Sequence, residues 1–178
     1  MIKKLLITVS GLIIINAPAL AFASHVELPD PGTTPDSALY FLKSWREQIQ
    51  VFFTLDAKNK AEQFLHLAAV RLAEYQKMIE KGKKEIAERT LAKYEEQIKR
   101  ATDKLKELKD KKEEVKDLED KIKAEVSGHE EILKENLAKA PEEAKKGLQQ
   151  ALESSKKAMT WDRATGTWNK AKGTWDEQ

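Results

Sequence analysis

The residues best suited to chemistry in this chain are three histidines, His25, His66 and His129, set among 30 carboxylates. Glu62 and His66 stand four positions apart, so a helix would bring both to one face where they could reach a metal ion. Two side chains fall short of the three or more ligands that a tight site needs, so a solvated or structural histidine is expected there. His129, followed by Glu130 near a predicted helix start, has the same standing. His25 carries one further option. If the chain is cut after Ala23, His25 becomes the second residue, and an α-amine, an amide nitrogen and an imidazole together could chelate Cu(II). The sequence has no cysteine, which removes thiol nucleophiles, disulfides and a lipidated cysteine anchor. It has no HExxH, no glycine-rich phosphate loop and no G-x-S-x-G elbow. The carboxylates alternate with lysines on what read as exposed helix faces, whereas a general acid needs a desolvating pocket to shift its pKa. The expectation is a protein that is not an enzyme, with no cofactor and no metal site.

Tryptophan is the other residue with recognition chemistry. Thr160-Trp161-Asp162-Arg163-Ala164-Thr165-Gly166 is followed by Thr167-Trp168-Asn169-Lys170-Ala171-Lys172-Gly173, and Thr174-Trp175-Asp176 begins a third copy. On a helix, Trp161, Ala164, Trp168, Ala171 and Trp175 would alternate large and small along one seam able to receive another helix. Gly166 and Gly173 each cost a helix about 1 kcal/mol against alanine. Three readings follow: the Trp row docks on the protein's own bundle, it is a frayed terminus, or Trp161, Trp168 and Trp175 bind a partner. Trp is enriched at binding hot spots and at membrane interfaces, and its ring also stacks on sugars.

These residues need elements to carry them, and the pattern is helical throughout. Charged residues make up 35% of the chain and aromatics 7%, which suits long solvated helices. Lys and Arg number 32 against 30 Asp and Glu, a balance that offers nothing to nucleic acid. Met1 to Lys4 is basic, Leu5 to Ile15 is apolar, and Ala21-Phe22-Ala23 is an A-x-A cleavage site, so residues 1–23 read as a signal peptide. The alternative is an uncleaved N-terminal helix that anchors the chain, since the apolar stretch to Ala23 is about long enough for a span, which needs roughly 17–25 residues. Residues 24–34 form a linker rich in Pro and Gly, residues 35–159 a helical domain, and residues 160–178 the Trp-repeat tail.

Within the domain, Thr34-Pro35-Asp36-Ser37 reads as a helix start, with Thr34 as cap. The first helix would run to Phe53 and bury Ala38, Leu42, Trp45, Ile49 and Phe52, which fall on one face. Asp56 would cap a second helix running to Lys81, with Ala61, Phe64, Leu65, Ala68, Leu72, Tyr75 and Ile79 inward and Gly82 closing it. A third helix is expected to run unbroken from Lys83 to Val126. Its seam holds Leu91, Tyr94, Ile98, Ala101, Leu105, Leu108, Val115, Ile122 and Val126, with Lys112 interrupting it and Leu118 one position off. At roughly 1.5 Å per residue it would reach about 60 Å. Acid-before-base pairs such as Glu95–Lys99 and Glu96–Arg100 add a few tenths of a kcal/mol each. Ser127-Gly128 would then turn the chain. Pro141 would split the remainder into two helices, the second with a slim face of Ala144, Leu148, Ala151, Leu152, Ser155 and Ala158.

Two stretches add a resemblance. Pro35-x-Ser37-x-Leu39-Tyr40-x-Leu42-Lys43, with Lys60-Ala61-Glu62 and Arg71-Leu72-Ala73-Glu74, resembles the opening of an uncharacterised family of exported bacterial helical domains, known only as a domain of unknown function. His129-x-x-x-Leu133, Pro141-Glu142-Glu143-Ala144 and Gly147-Leu148-Gln149-Gln150-Ala151-Leu152 are similar to a helix, proline break and second helix found downstream in it. The resemblance implies a helical fold and export, and brings no activity with it; the Trp tail departs from the pattern.

The expected fold is therefore all-α, a long antiparallel helical hairpin or bundle with a coiled-coil-like central helix. The expected function is that of an exported structural or interaction protein, in a periplasm or at a cell surface. It would bind a protein partner or an envelope component through helix faces, or pair with itself along the coiled-coil seam. An envelope metal-binding or stress-responsive chaperone-like protein is the alternative, on fold-level analogy alone.

Overall fold

A computed structural model describes residues 27–160 and, beyond them, the backbone of residues 168–169 and 174–175. The predicted leader with its cut after Ala23, His25, Trp161 and the tail apart from those four residues lie outside the described residues. The described residues form five helices, α1 (Tyr40–Phe53), α2 (Ala57–Glu80), α3 (Lys84–Asp110), α4 (Lys116–Lys139) and α5 (Glu142–Thr160). Each boundary has a local cause. Asp56 accepts the Asn59 N–H at 2.7 Å and starts α2. Gly82, at φ +70°, ends it, with the Lys83 N–H bonded to Met78 O at 2.8 Å and the Gly82 N–H to Ile79 O at 2.9 Å. Pro141 separates α4 from α5 as expected.

Three boundaries differ from the expectation. The first helix begins at Tyr40 rather than Pro35, because Thr34 to Leu39 makes successive turns: the Ser37 N–H bonds Thr34 O and the Tyr40 N–H bonds Ser37 O. The long third helix is two helices. Residues 110–114 are all charged and offer nothing to bury, and α3 stops there. Lys112 takes φ +58°, the Lys112 N–H bonds Lys109 O at 2.8 Å and the Glu113 N–H bonds Leu108 O at 3.1 Å. This is the closure Gly82 makes, achieved without glycine. The break lets Val115, Leu118, Ile122 and Val126 turn back into the core, and a Lys109–Glu119 ion pair spans the corner. Ser127 and Gly128, read as a turn, lie inside α4.

The four long helices form a bundle, alternating up and down in sequence order. α2 packs along α3 and α4 along α5, while α3 also meets α5 and α2 meets α4, so the order around the bundle is α2–α3–α5–α4. Gly147 beside Leu91 and Ser155 bonded to Tyr94 show α5 running in the same direction as α3. The α3 seam from Leu91 to Leu108 is buried inside the chain's own bundle. All six slim positions of α5 are buried too, including Ser155, whose Oγ lies 2.6 Å from the Tyr94 hydroxyl. On α2, Met78 is buried where Ile79 was expected, and Ile79 is partly exposed. No described helix is long and apolar enough to cross a membrane.

Candidate interaction surface

The first helix is turned around. Its predicted buried stripe faces solvent: Trp45 is 64% exposed, Phe52 74% and Leu55, just past the helix, 92%. Leu39, Phe41, Leu42, Ile49 and Phe53 are exposed with them. This corrects the reading of Leu42, Trp45, Ile49 and Phe52 as core; Ala38 is exposed as well. At 100° per residue Phe41, Leu42, Trp45, Ile49, Phe52 and Phe53 share one arc of the helix, and Tyr40, Lys43, Ser44, Glu47 and Val51 occupy the opposite one.

That opposite arc explains the orientation. α2 carries two charged residues, Arg71 and Glu74, inside an otherwise apolar run, and both are buried. A buried charge is tolerated only when it is paired and hydrogen-bonded. α1 supplies the partners. Glu74 accepts from the Tyr40 hydroxyl at 2.9 Å, from Arg71 at 2.8 and 2.9 Å, and from Lys43 Nζ at 2.5 Å. The other end of the Arg71 fork donates to Glu47. Burial pulls the Arg71 pKa down, but Glu74, Tyr40 and Glu47 outweigh it and hold the guanidinium above its ordinary value. Burial, then the Glu74 charge, pushes the Tyr40 hydroxyl up, so it remains a donor. Lys43 also donates to Pro31 O at 2.5 Å and ties the incoming loop to the cluster. At the far end Asp36 accepts from Lys81 and Lys83, and its carboxyl is held well below its ordinary value, chiefly by Lys83. Two motifs from the opening stretch of the resemblance meet here, Tyr40 and Lys43 from one and Arg71 and Glu74 from the other. The signal available in the sequence was an Arg–Glu pair at i,i+3 inside an apolar helix, facing a Lys–Glu pair at i,i+4.

The face so presented is large. Taking roughly 200 Å² for each large apolar side chain, the exposed part comes to about 1,000 Å². The largest apolar patch on an ordinary monomer is about 300–600 Å². An open groove of about 720 Å³ continues the face past Val51 and Phe52 to Phe64, Leu67, Lys93 and Arg100. A second, of about 840 Å³, lies beside Phe41 and Trp45. Arg100 stands over the Phe64 ring at 5.6 Å and Lys93 over Tyr40 at 5.0 Å.

The two described histidines, His66 and His129, do not come together. His66 is exposed on α2, and the Glu62 carboxylate beside it is bonded to Lys121 at 2.6 Å. His129 is fully buried on α4, its ring 5.6 Å edge-on to Tyr94, and neither ring nitrogen has a hydrogen-bond partner. Burial pushes its pKa down to about 4, so it is neutral in the folded protein. Glu130 is buried beside it, with one oxygen 3.2 Å from Lys134 and the other unpartnered. Among the described residues no group of three or more His, Asp or Glu is placed to hold a metal ion. In the tail, β1 (Trp168–Asn169) and β2 (Thr174–Trp175) pair antiparallel, with Trp168 opposite Trp175. That backbone differs from the helical seam considered for the repeat. Thr and Trp favour strands, and Gly173 disfavours a helix.

Fold and surface together define a class: an all-α bundle with an added amphipathic helix, anchored by charge and apolar on its outer side. The chain belongs to the family described as a domain of unknown function, DUF5667, whose model matches residues 32–162. The matched span runs from the loop before α1 to the first residues of the tail. No curated protein and no solved structure matches the chain.

Proposed function

We propose that the protein is an exported, non-enzymatic interaction module whose working surface is the outer face of α1. The observation that carries this reading is the inverted helix. A chain with a spare apolar stripe of this size would ordinarily bury it, and here a fully satisfied ionic cluster holds it outward instead. Charged clusters of this kind add little net stability compared with apolar packing, but they fix orientation. The orientation they fix is one that leaves Phe41, Trp45 and Phe52 available, aromatic types enriched at interface cores, with Trp also prominent among binding hot spots. Export is supported by the basic start, apolar stretch and A-x-A motif of residues 1–23. Trp161, Trp168 and Trp175 form a second contact set in this reading.

The test is crosslinking in the native cell. A photo-activatable amino acid in place of Phe41 should yield adducts, and the same probe in place of exposed Gln149 on α5 should not. Equal yields at the two positions would refute a working role for α1. Full chain found in the cytosol with its leader intact would refute export.

A further inference from the structure

The geometry points to a second copy of this chain as the occupant of the α1 face, in a symmetric dimer; this rests on the interaction reading above and names its partner. Three observations favour self-association. The first is area. A stable interface buries about 800 Å² on each partner, and the outer face of α1 together with the flanking Leu39 and Leu55 exposes about 1,000 Å². The second is charge. Without Lys3, Lys4, Arg163, Lys170 and Lys172, and without Asp162, Asp176 and Glu177, residues 27–160 carry 27 basic and 27 acidic side chains. A formally neutral domain does not repel its own copy, and it lacks the net positive charge that draws a protein to an anionic lipid surface. On α1 itself Lys43 and Glu47 are turned inward, which leaves Arg46 as the one charged side chain exposed on that helix.

The third observation is shape. A two-fold interface uses the same patch on both partners, so the patch must both project and receive. Phe41, Trp45 and Phe52 project from α1, and the grooves beside Phe64 and beside Trp45 receive. An aromatic ring from the second copy set beside Phe64 would lie close to Lys93 and Arg100, which already stand over rings of this chain. The α3 seam, by contrast, is buried within one chain and has no surface left for a second copy.

Sedimentation equilibrium on the exported chain, recovered with its natural N-terminus, tests this directly. Twice the chain mass is expected at micromolar concentration. Trp45→Glu should weaken the dimer by about thirtyfold or more, as loss of a hot spot does, with unchanged helical circular dichroism because Trp45 is exposed. Trp45→Ala serves as a second variant without added charge. A wild-type chain that stays monomeric overturns the proposal. So does a dimer that both variants leave intact, since its contact would lie elsewhere. Flotation with phosphatidylcholine–phosphatidylglycerol vesicles by a monomeric chain would overturn it in favour of a lipid surface. The Phe41 crosslink separates the two claims: an adduct of twice the chain mass supports the dimer. Adducts only with other molecules sink the dimer and leave the interaction reading standing, and no adduct sinks both.

Discussion

Removing the Arg71 charge should free α1 from the bundle without unfolding the bundle. In Arg71→Met the side chain keeps its length and loses its fork. Glu47 then has no partner but Lys43, 3.9 Å away, and Glu74 keeps Lys43 and the Tyr40 hydroxyl. Breaking a buried pair in this way costs about 3–5 kcal/mol, because the remaining carboxylates stay desolvated. Against this, α1 retains little else. Val51 is partly buried against the core, the Tyr40 ring is buried, and Thr54 donates to Gln63 at 2.8 Å. Those contacts together are worth about 2–4 kcal/mol, so the loss matches the whole of what holds the helix. Opening of α1 should therefore rise by about two to four decades. Hydrogen exchange read by mass spectrometry should show peptides of residues 40–53 losing protection while those of 61–78 and 91–108 keep theirs. Protection of α1 at the wild-type level would refute the argument that charge holds it. Simultaneous loss in all helices would show that α1 is an integral part of the bundle.

Three further outcomes are expected. His129 is neutral and buried, with its folded pKa about 4 below an unfolded value of 6.5; the unfolded chain therefore binds the extra proton, and stability falls as pH drops through that window. Wild type should lose about 2 kcal/mol more than His129→Leu between pH 7 and pH 5 in urea titrations, and equal losses would contradict the burial. Lys112 and Gly82 make the same helix-ending turn at positive φ, so Lys112→Gly should raise stability by about 0.5–1 kcal/mol and Gly82→Ala should lower it by about 1 kcal/mol, as read from thermal melts. Tyr94→Phe removes the hydroxyl bonded to Ser155 Oγ, which keeps its bond to Ala151 O at 3.0 Å; the expected cost is about 1 kcal/mol in denaturant titration, and a cost above about 3 kcal/mol would mean the ring packing had changed as well.

Much of the bundle was legible in the sequence because its signals are local. Asp56, Gly82 and Pro141 mark boundaries by cap, αL and missing-donor chemistry, and the slim face of α5 is buried position by position. The break at Lys112 was hidden because a lysine occupies a conformation that usually calls for glycine, and because the apolar seam resumes after it close to register. Leu118, one position off that seam, was the trace of the break. The orientation of α1 was not legible from periodicity at all. A hydrophobic stripe says which residues share a face, and says nothing of whether that face is covered. The deciding contacts join residues up to 34 positions apart, as Tyr40 to Glu74 does, and they are polar. Counting buried charges on α2 and asking for their partners would have found the candidate surface, where following the greasy positions of α1 led inward.

The parallel course of α3 and α5 has a mechanical consequence. The incoming segment is pinned by Asp36 to Lys81 and Lys83, at the level where α3 begins, while Ala158 lies level with Ile98 and Thr102. The two ends of the described chain are thus offset along the bundle axis by about 25–30 Å, at roughly 1.5 Å per residue. The segment that enters at residue 27 and the segment that leaves after Thr160 are held apart by that length, and deleting α5 would collapse the separation by returning the C-terminal segment to the end where the described chain begins.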